Sequence, residues 1–369
     1  MDHSIQDKVS VWLSGNYDEA TKNAINSLQR DELADSFYRS LEFGTGGLRG
    51  IMGVGTNRMN VYTVGMATQG LANYLLQCFP GQDIKVAITH DSRINNTLFA
   101  KTTADVLTAN GIHVMYFREM RPTPMLSFAV RHFGCKSGVM ITASHNPKEY
   151  NGYKAYWADG SQVVAPHDKN IVAEVNAIST VADIKFEGND SLLHLLDESI
   201  DDAYLTTIKD NCRKPEVIQR QKDLKIVFSP IHGASGKMVP AALKAFGFEN
   251  IHVVKEQIEP DGTFPTVIYP NPEEADAMAL GLKKAKELDA DILLGTDPDA
   301  DRVGIGVKDS DGNWVLMNGN QTAVLAFNYM IEARKAKGLA QPNDMVVKTI
   351  VTTELIDEIA KQNNIACYN

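Results

Sequence analysis

The stretch Gly138–Pro147, Gly-Val-Met-Ile-Thr-Ala-Ser-His-Asn-Pro, decides how the chain is interpreted. Its short apolar run Val139–Ile141 predicts a buried strand, which small and polar residues end abruptly. Asn146-Pro147 then prevents the chain from continuing as a regular helix or strand. Ser144 is therefore expected just beyond a strand end, where α/β sheets present reactive groups, with His145 beside it. An ordinary strand-to-loop turn contains the same residue types, so on these residues alone both interpretations stay open.

The composition is that of an ordinary globular chain. The 369 residues are 44% hydrophobic and 22% charged, and at about 100–200 residues per domain they predict two to three domains. The formal net charge of −10 argues against nucleic acid or an anionic membrane as the main partner, but not against a phosphorylated substrate. The four cysteines are unpatterned, which favours a reducing compartment without structural zinc. With neither a signal peptide nor an apolar membrane span visible, we expect a cytoplasmic protein.

After an N-terminal helical region, predicted strands and helices alternate in two similar blocks. In the first block, the strands Ile84–Ile88 and Ile112–Phe117 come before the strand that leads to Ser144. The second block has three strands in the same order: Lys225–Phe228, Ile251–Val254 and Asp291–Leu294. We interpret the two blocks as an internal repeat of a strand–helix–strand–helix–strand unit in an α/β protein. The repeat predicts that the polar loops after the first and third strands of each unit lie at the carboxyl edge of a sheet.

A third copy of this unit is predicted to begin near the end of the sequence. The strand Met345–Val351 and the helix Thr353–Gln362 are followed by Asn364–Asn369 as a second strand. A strand at the very end would leave the core of its unit uncovered, so we expect the intact protein to continue further. The predicted domains are residues 1–205, 206–316 and 317–369.

Three carboxylates alternate in Asp297-Pro-Asp299-Ala-Asp301, directly after a predicted strand. They would repel one another unless a cation lay among them, and hard oxygen ligands at this density suit Mg²⁺ or Ca²⁺. An EF-hand is excluded, because Arg302 and Lys308 stand where such a loop requires Gly and Glu. A solvated acidic turn is the alternative, but it does not explain the position directly after an apolar strand. The triplet therefore predicts a metal site.

Three further segments carry candidate residues, each with a plain alternative. The glycine-rich stretch Phe43–Gly50 fits no nucleotide-binding fingerprint, but its amides beside Arg49 suit an anion cradle; a mobile surface loop is the alternative. Lys154 could reach the hydroxyl of Ser144 as a cation or proton carrier, or be an ordinary solvated lysine. His232 is either a substrate contact or a capping and packing histidine. Together with the metal site these are the parts of phosphoryl transfer, and a phosphoserine rather than ATP could carry the group.

At this point the motifs resemble those of a known family. Thr142–Pro147 and Asp297–Arg302 look like the corresponding loops of the α-D-phosphohexomutases, the phosphoglucomutases and phosphomannomutases. Phe43–Gly50 and Asn151–Lys154 match further family motifs in their expected places, so that the resemblance covers essentially the whole chain. It implies three-layer α/β domains with mixed sheets: a complete phosphoserine domain, a complete metal-binding domain and a partial third domain. The sugar-selecting loop and the fourth domain of the family would be missing.

The resemblance also implies a role for each candidate residue. Ser144 would be phosphorylated, and Asp297, Asp299 and Asp301 would bind Mg²⁺ together with an oxygen of that phosphoserine. The implied catalytic residues beside Ser144 are His145, Lys154 and Arg49, of which His145 and Lys154 would transfer protons to and from the sugar hydroxyls. The predicted substrate-binding residues, which steady phosphoryl and sugar charge, are Thr45, Arg49, Lys154, His232 and Arg302.

The implied activity is the reversible interconversion of hexose 1-phosphate and hexose 6-phosphate through a phosphoserine enzyme, with Mg²⁺ and glucose 1,6-bisphosphate as cofactors. The form of Phe43–Gly50 favours glucose phosphate, of the phosphoglucomutase-like branch, over mannose phosphate. Because the clamp for the distal phosphate would be missing, this chain alone is expected to be inactive or impaired. Two alternatives from other classes stay open: a non-catalytic phosphosugar-binding relative, and a metal-dependent phosphatase with Asp297 as nucleophile.

Overall fold

The computed structural model describes residues 3–44 and 46–369. Thr45, one of the predicted substrate-binding residues, lies outside the described residues. The helices are α1 (His3–Ser14), α2 (Glu19–Ser27), α3 (Arg30–Phe37), α4 (Val61–Cys78), α5 (Asn96–Ala109), α6 (Thr123–His132), α7 (His167–Asn176), α8 (Ser199–Asp210), α9 (Pro215–Arg220), α10 (Ser235–Phe246), α11 (Lys255–Ile258), α12 (Ala275–Glu287), α13 (Gly319–Ala336) and α14 (Leu355–Gln362). The strands are β1 (Gly47–Ile51), β2 (Lys85–His90), β3 (His113–Phe117), β4 (Ser137–Ile141), β5 (Tyr150–Trp157), β6 (Leu193–Leu196), β7 (Ile226–Ser229), β8 (Ile251–Val253), β9 (Ile292–Thr296), β10 (Val303–Lys308), β11 (Trp314–Met317), β12 (Met345–Val347) and β13 (Ala366–Tyr368).

The first unit is built on a six-stranded sheet in the order β1-β5-β4-β2-β3-β6. Strands β4, β2, β3 and β6 run parallel, whereas β5 and β1 are antiparallel to their neighbours. The apolar strand predicted before Ser144 is β4, and all five of its residues are buried. Val139 and Ile141 pack in the hydrophobic cluster of α4 and α5, whereas Met140 packs on the opposite face with α6. Helices therefore cover both faces, which explains why β4 is a continuous apolar run.

The second unit repeats this arrangement, as the sequence predicts. Its sheet has the order β11-β10-β9-β7-β8, in which β9, β7 and β8 are parallel and β10 and β11 are antiparallel. The predicted α/β fold with repeated mixed sheets is thus confirmed. At the end of the chain, β12 and β13 form a parallel pair connected through α14, the strand–helix–strand order expected of a third unit. None of the described helices has the length and apolar character needed to cross a bilayer.

The glycine-rich stretch Phe43–Gly50 is partly a strand and not simply a surface loop. Its second half, Gly47–Gly50, lies in β1, which pairs with β5 in a register that places Gly47 opposite Lys154. A Cβ at Gly47 would overlap the carbonyl group of Tyr153, so glycine permits this close pairing even though it is a poor strand former. After β5, residues 162–164 make only an isolated bridge to Tyr156 and do not extend the sheet.

Candidate active site

Ser144 lies in a buried turn just beyond the end of β4. Its φ of 53° is in the left-handed region, which a residue with a side chain adopts only where the surroundings enforce it. The amide of Ser144 donates to the Thr142 hydroxyl at 2.8 Å, and this hydroxyl donates to Asp91 Oδ2 at 2.5 Å. The turn is thus held by a relay from a carboxylate at the end of the neighbouring strand β2.

The structure brings this serine directly to the aspartate triplet of the second unit. The Ser144 hydroxyl donates to Asp297 Oδ2 at 2.8 Å, across 153 positions in sequence. On its other side it lies 3.2 Å from His145 Nδ1. Burial, and then the nearby positive charges of Arg302 and Arg49, lower the pKa of His145. The serine hydroxyl therefore lies between a neutral imidazole and a carboxyl group.

Asp297, Asp299 and Asp301 form a compact group of oxygens. One carboxylate oxygen from each lies within 4.8 Å of the others, with Asp297 and Asp299 buried and Asp301 exposed. Asp299 Oδ1 is buried without a hydrogen-bond partner among the described residues, so this acceptor can still bind a cation or a donor. Burial and the charges of Asp299 and Asp301 raise the pKa of Asp297 to about 9. Three neighbouring carboxyl groups supply hard oxygen ligands, and one of their oxygens has no hydrogen-bond partner among the described residues. This donor set fits Mg²⁺.

Lys154 on β5 lies against the same carboxylates. Its ammonium donates to Asp299 Oδ2 at 2.6 Å and to Asp301 Oδ2 at 3.0 Å. Burial works against the charged lysine, but the two carboxylates outweigh it and raise the pKa of Lys154. Conversely, burial of Asp299 is outweighed by the charge of Lys154, and the pKa of Asp299 is lowered. Lys154 and Asp299 are therefore a charged pair, and Lys154 supplies positive charge to the triplet.

The predicted substrate-binding residues differ in where they lie. Arg49 is exposed on β1 and donates to Asn146 Oδ1 at 3.2 Å, in the segment of residues 142–150 that carries Ser144 (the serine loop). Arg302 follows the triplet, and its amide donates to Asp297 Oδ1 at 3.1 Å. His232 is buried, with Nδ1 3.2 Å from the Glu259 carbonyl and Nε2 2.9 Å from the Thr266 hydroxyl. Both ring nitrogens thus have partners within the second unit, which is the environment of a packing histidine; its substrate contact stays a prediction.

Two residues at the site have no role in the interpretation of the sequence. Thr123, at the start of α6, donates through its amide to the Asp299 carbonyl at 2.8 Å and through its hydroxyl to Asp299 Oδ2 at 3.1 Å. The guanidinium of Arg93 donates hydrogen bonds to the backbone carbonyls of Ser144 and Asn146 in the serine loop. Arg93 lies in the loop after β2, and Thr123 begins the helix that follows β3. This position at the carboxyl edge is the signal by which they could have been found.

Comparison with known proteins agrees with the motifs. The family model described as phosphoglucomutase/phosphomannomutase, alpha/beta/alpha domain I, matches residues 40–182, and that of domain II matches residues 202–312. The chain belongs to the phosphoglucomutase/phosphomannomutase family. The matched ranges contain the serine loop and the aspartate triplet, respectively. The domain boundaries given by the repeat, 1–205, 206–316 and 317–369, stay predictions.

Curated relatives and a solved structure extend the likeness along the chain. A phosphoglucomutase from Staphylococcus epidermidis is 35% identical over 358 residues, covering 96% of this chain and 64% of the relative. A human phosphopentomutase is 34% identical over 380 residues, covering 97% and 62%. A crystal structure from Thermus thermophilus, provisionally assigned as a phosphomannomutase, has 26% identity and a TM-score of 0.73, covering 89% of this chain and 69% of that one. The chain thus spans less than two thirds of the length of these curated relatives.

Proposed function

We propose that the intact protein interconverts glucose 1-phosphate and glucose 6-phosphate by phosphoryl transfer through Ser144. The observation that carries the proposal is the 2.8 Å hydrogen bond from the Ser144 hydroxyl to Asp297, within the group of three carboxylates. A nucleophilic hydroxyl beside a cation site is the arrangement that phosphoryl transfer needs. The serine and the three aspartates lie on loops far apart in sequence, and a shared reaction centre explains why the fold places them together.

The residues of the chain suggest a role for each side of the site. Phosphorylated Ser144 would transfer its phosphoryl group to a free sugar hydroxyl: the bond from phosphorus to the seryl oxygen breaks as the bond to the sugar oxygen forms. The lowered pKa of His145 leaves a neutral imidazole that can accept the proton of that hydroxyl. Arg49 and Arg302 would neutralise phosphate charge. The bisphosphate then reorients, and its other phosphoryl group returns to Ser144.

The three aspartates would hold Mg²⁺, which when bound would draw negative charge from the seryl oxygen. Lys154 would keep the triplet from accumulating negative charge, through its contacts with Asp299 and Asp301. From this position its ammonium is also a candidate proton donor toward the sugar.

A pentose phosphate is the second candidate substrate. The relative named phosphopentomutase is 34% identical over 97% of this chain, and the relative named phosphoglucomutase is 35% identical over 96%. Identity at this level does not separate a hexose from a pentose. Only the form of the glycine-rich stretch favours glucose.

The proposal is tested by covalent labelling. The chain is incubated with glucose 1,6-bisphosphate and MgCl₂, and the product is analysed by intact mass and peptide mapping. One phosphoryl group on Ser144, lost in Ser144→Ala and retained in the buried-serine control Ser137→Ala, is the expected result. Phosphate on Asp297 would instead indicate an aspartyl phosphatase, and no phosphate on the intact protein, incubated in parallel, would indicate a binding protein; either result overturns the proposal. Ribose 1,5-bisphosphate in the same assay separates the two sugars by labelling rate.

A further inference from the structure

Arg93 is a buried cation at the base of the serine loop. It follows β2 in Asp91-Ser-Arg93, and its side chain is fully inaccessible to solvent. The carboxylate of Asp91 lies 3.4 Å from its Nε atom and provides the compensating charge. A buried guanidinium is costly unless its donors are used, so its partners indicate why it is retained there.

Those partners are four carbonyl oxygens of one loop. Nη2 donates to the carbonyls of Ser144 and Asn146, each at 2.6 Å. Nη1 donates to the carbonyls of Pro147 and Tyr150, at 2.9 and 3.0 Å. The loop therefore wraps around a single planar guanidinium. One of the four carbonyls belongs to Ser144 itself, whose left-handed conformation requires enforcement.

The same residue contacts the second unit. Its guanidinium lies over the ring of Phe264 at 5.0 Å, and its backbone forms an isolated bridge with Gly262. A Cβ at Gly262 would lie 2.5 Å from the Ile94 amide nitrogen, so this approach requires glycine. Phe264 is itself buried, with a φ of 46°. Arg93 thus contacts both the serine loop of the first unit and residues 262–264 of the second unit.

We infer that Arg93 is a positioning residue that directs the Ser144 hydroxyl toward Asp297 and couples the serine loop to the loop of residues 261–264. The inference deepens the proposed function, on which it rests. Arg93 acts through the loop backbone and touches no reacting atom. Lysine cannot replace it, because one ammonium cannot span four carbonyls that a planar fork reaches in two directions.

The first measurement is the rate of Ser144 phosphorylation by glucose 1,6-bisphosphate and Mg²⁺ in Arg93→Lys. Arg93→Lys keeps the positive charge but loses the planar guanidinium. A change in the labelling rate therefore reports the geometry of the loop and not its charge. We expect labelling about 100-fold slower, the cost of a misplacement of about 1 Å. The matched control is Arg58→Lys: Arg58 is also buried and binds the Asp35 carboxylate and backbone carbonyls, but in the N-terminal region. Labelling of Arg58→Lys should match that of the wild-type chain.

The second measurement is amide hydrogen exchange, which needs no phosphoryl transfer. Arg93→Lys should raise exchange in the peptides covering 142–150 and 261–266 together, whereas Arg58→Lys should raise it in neither. Methylguanidinium should also restore labelling in Arg93→Ala, which a general loss of packing would not allow. Wild-type labelling in Arg93→Lys, or increased exchange in only one of the two loops, overturns the inference. If the intact protein takes up no phosphate, the proposed function fails while the exchange experiment still decides on Arg93.

Discussion

Gly233 packs against Pro298 in the loop that carries Asp297, Asp299 and Asp301, and the contact leaves no room for a side chain. An ideal Cβ at Gly233 would lie 2.6 Å from the oxygen and 2.9 Å from the carbon of the Pro298 carbonyl, and closer still to Pro298 Cα, whereas ordinary contact begins at 3.4 Å. All three are backbone atoms, so the substitution Gly233→Ala has to displace the loop, by about 1 Å in a close-packed interior. The amide of Ala234 also donates to the Pro298 carbonyl at 2.8 Å, so the same displacement strains this hydrogen bond.

Pro298 separates Asp297 from Asp299, so its displacement moves two of the three proposed metal ligands. Metal ligands tolerate deviations of only about 0.2 Å, and we therefore expect Gly233→Ala to bind Mg²⁺ at least about tenfold more weakly, or ~1.4 kcal/mol. The assay is calorimetric titration of the chain with MgCl₂. Gly319→Ala is the matched control, because its Cβ would meet only Glu273 Oε1 at 3.6 Å. Wild-type affinity in a Gly233→Ala variant with a native circular dichroism spectrum would refute the reasoning.

Three further predictions follow from the site. Replacing Lys154 by Met leaves Asp299 without its buried partner, so the free energy of unfolding in urea should fall by about 3 kcal/mol and recover with Mg²⁺; an unchanged denaturation midpoint would contradict this. Thr123→Val removes the hydroxyl donor to Asp299 while keeping the shape, and should cost about 1.5 kcal/mol in the same assay. Thr102→Val, whose hydroxyl bonds the Leu98 carbonyl within α5, is the control for loss of a hydroxyl that does not reach the site and should cost less. Burial and the charge of Arg302 lower the pKa of His145 below 6.5, so an NMR titration should show a neutral ring at pH 7. Arg302→Leu should raise that pKa, and a lower or equal value would be inconsistent with the assigned cause. Below pH 6.5 the unfolded chain binds a proton on His145 more readily than the folded chain does. The contribution of His145 to the free energy of unfolding therefore decreases as the pH falls.

The repeated architecture could be predicted from the sequence because the central parallel strands, such as β4 and β7, are short apolar runs bounded by polar residues. The predicted positions of Ser144 and Asp297 beyond β4 and β9 follow from this pattern, since the ends of parallel strands mark one edge of a sheet. That edge rule applies within one sheet, however, and these residues lie beyond two different sheets. Their contact depends on how two units pack, which no periodicity records.

The features that sequence reasoning missed are those made by tertiary contact. Gly47 belongs to a strand because Tyr153 on the neighbouring strand approaches it closely, against the low strand propensity of glycine. Arg93 looks like a surface residue in sequence, since arginine is seldom buried without partners. Its partners are backbone carbonyls of a loop about 50 positions away, and any residue type supplies a carbonyl. The residue types in the two segments therefore do not indicate this interaction.

The contacts between the two units divide into a solvated set and a buried set. Lys237 of α10 pairs with Glu119 and Glu198 on half-exposed side chains, and such pairs contribute about 0–1 kcal/mol. The buried set includes the hydrogen bond from Ser144 to Asp297, the contacts of Asp299 with the first unit, and the packing of Arg93 on Phe264. It also includes Met238 of α10, which packs in the hydrophobic cluster that contains α6 of the first unit. Separating a buried, desolvated pair of polar groups costs far more free energy than separating an exposed pair. The interactions that place the seryl oxygen among the carboxylates are thus also among those that hold the two units together, so a substitution that weakens the site weakens this part of the contact as well.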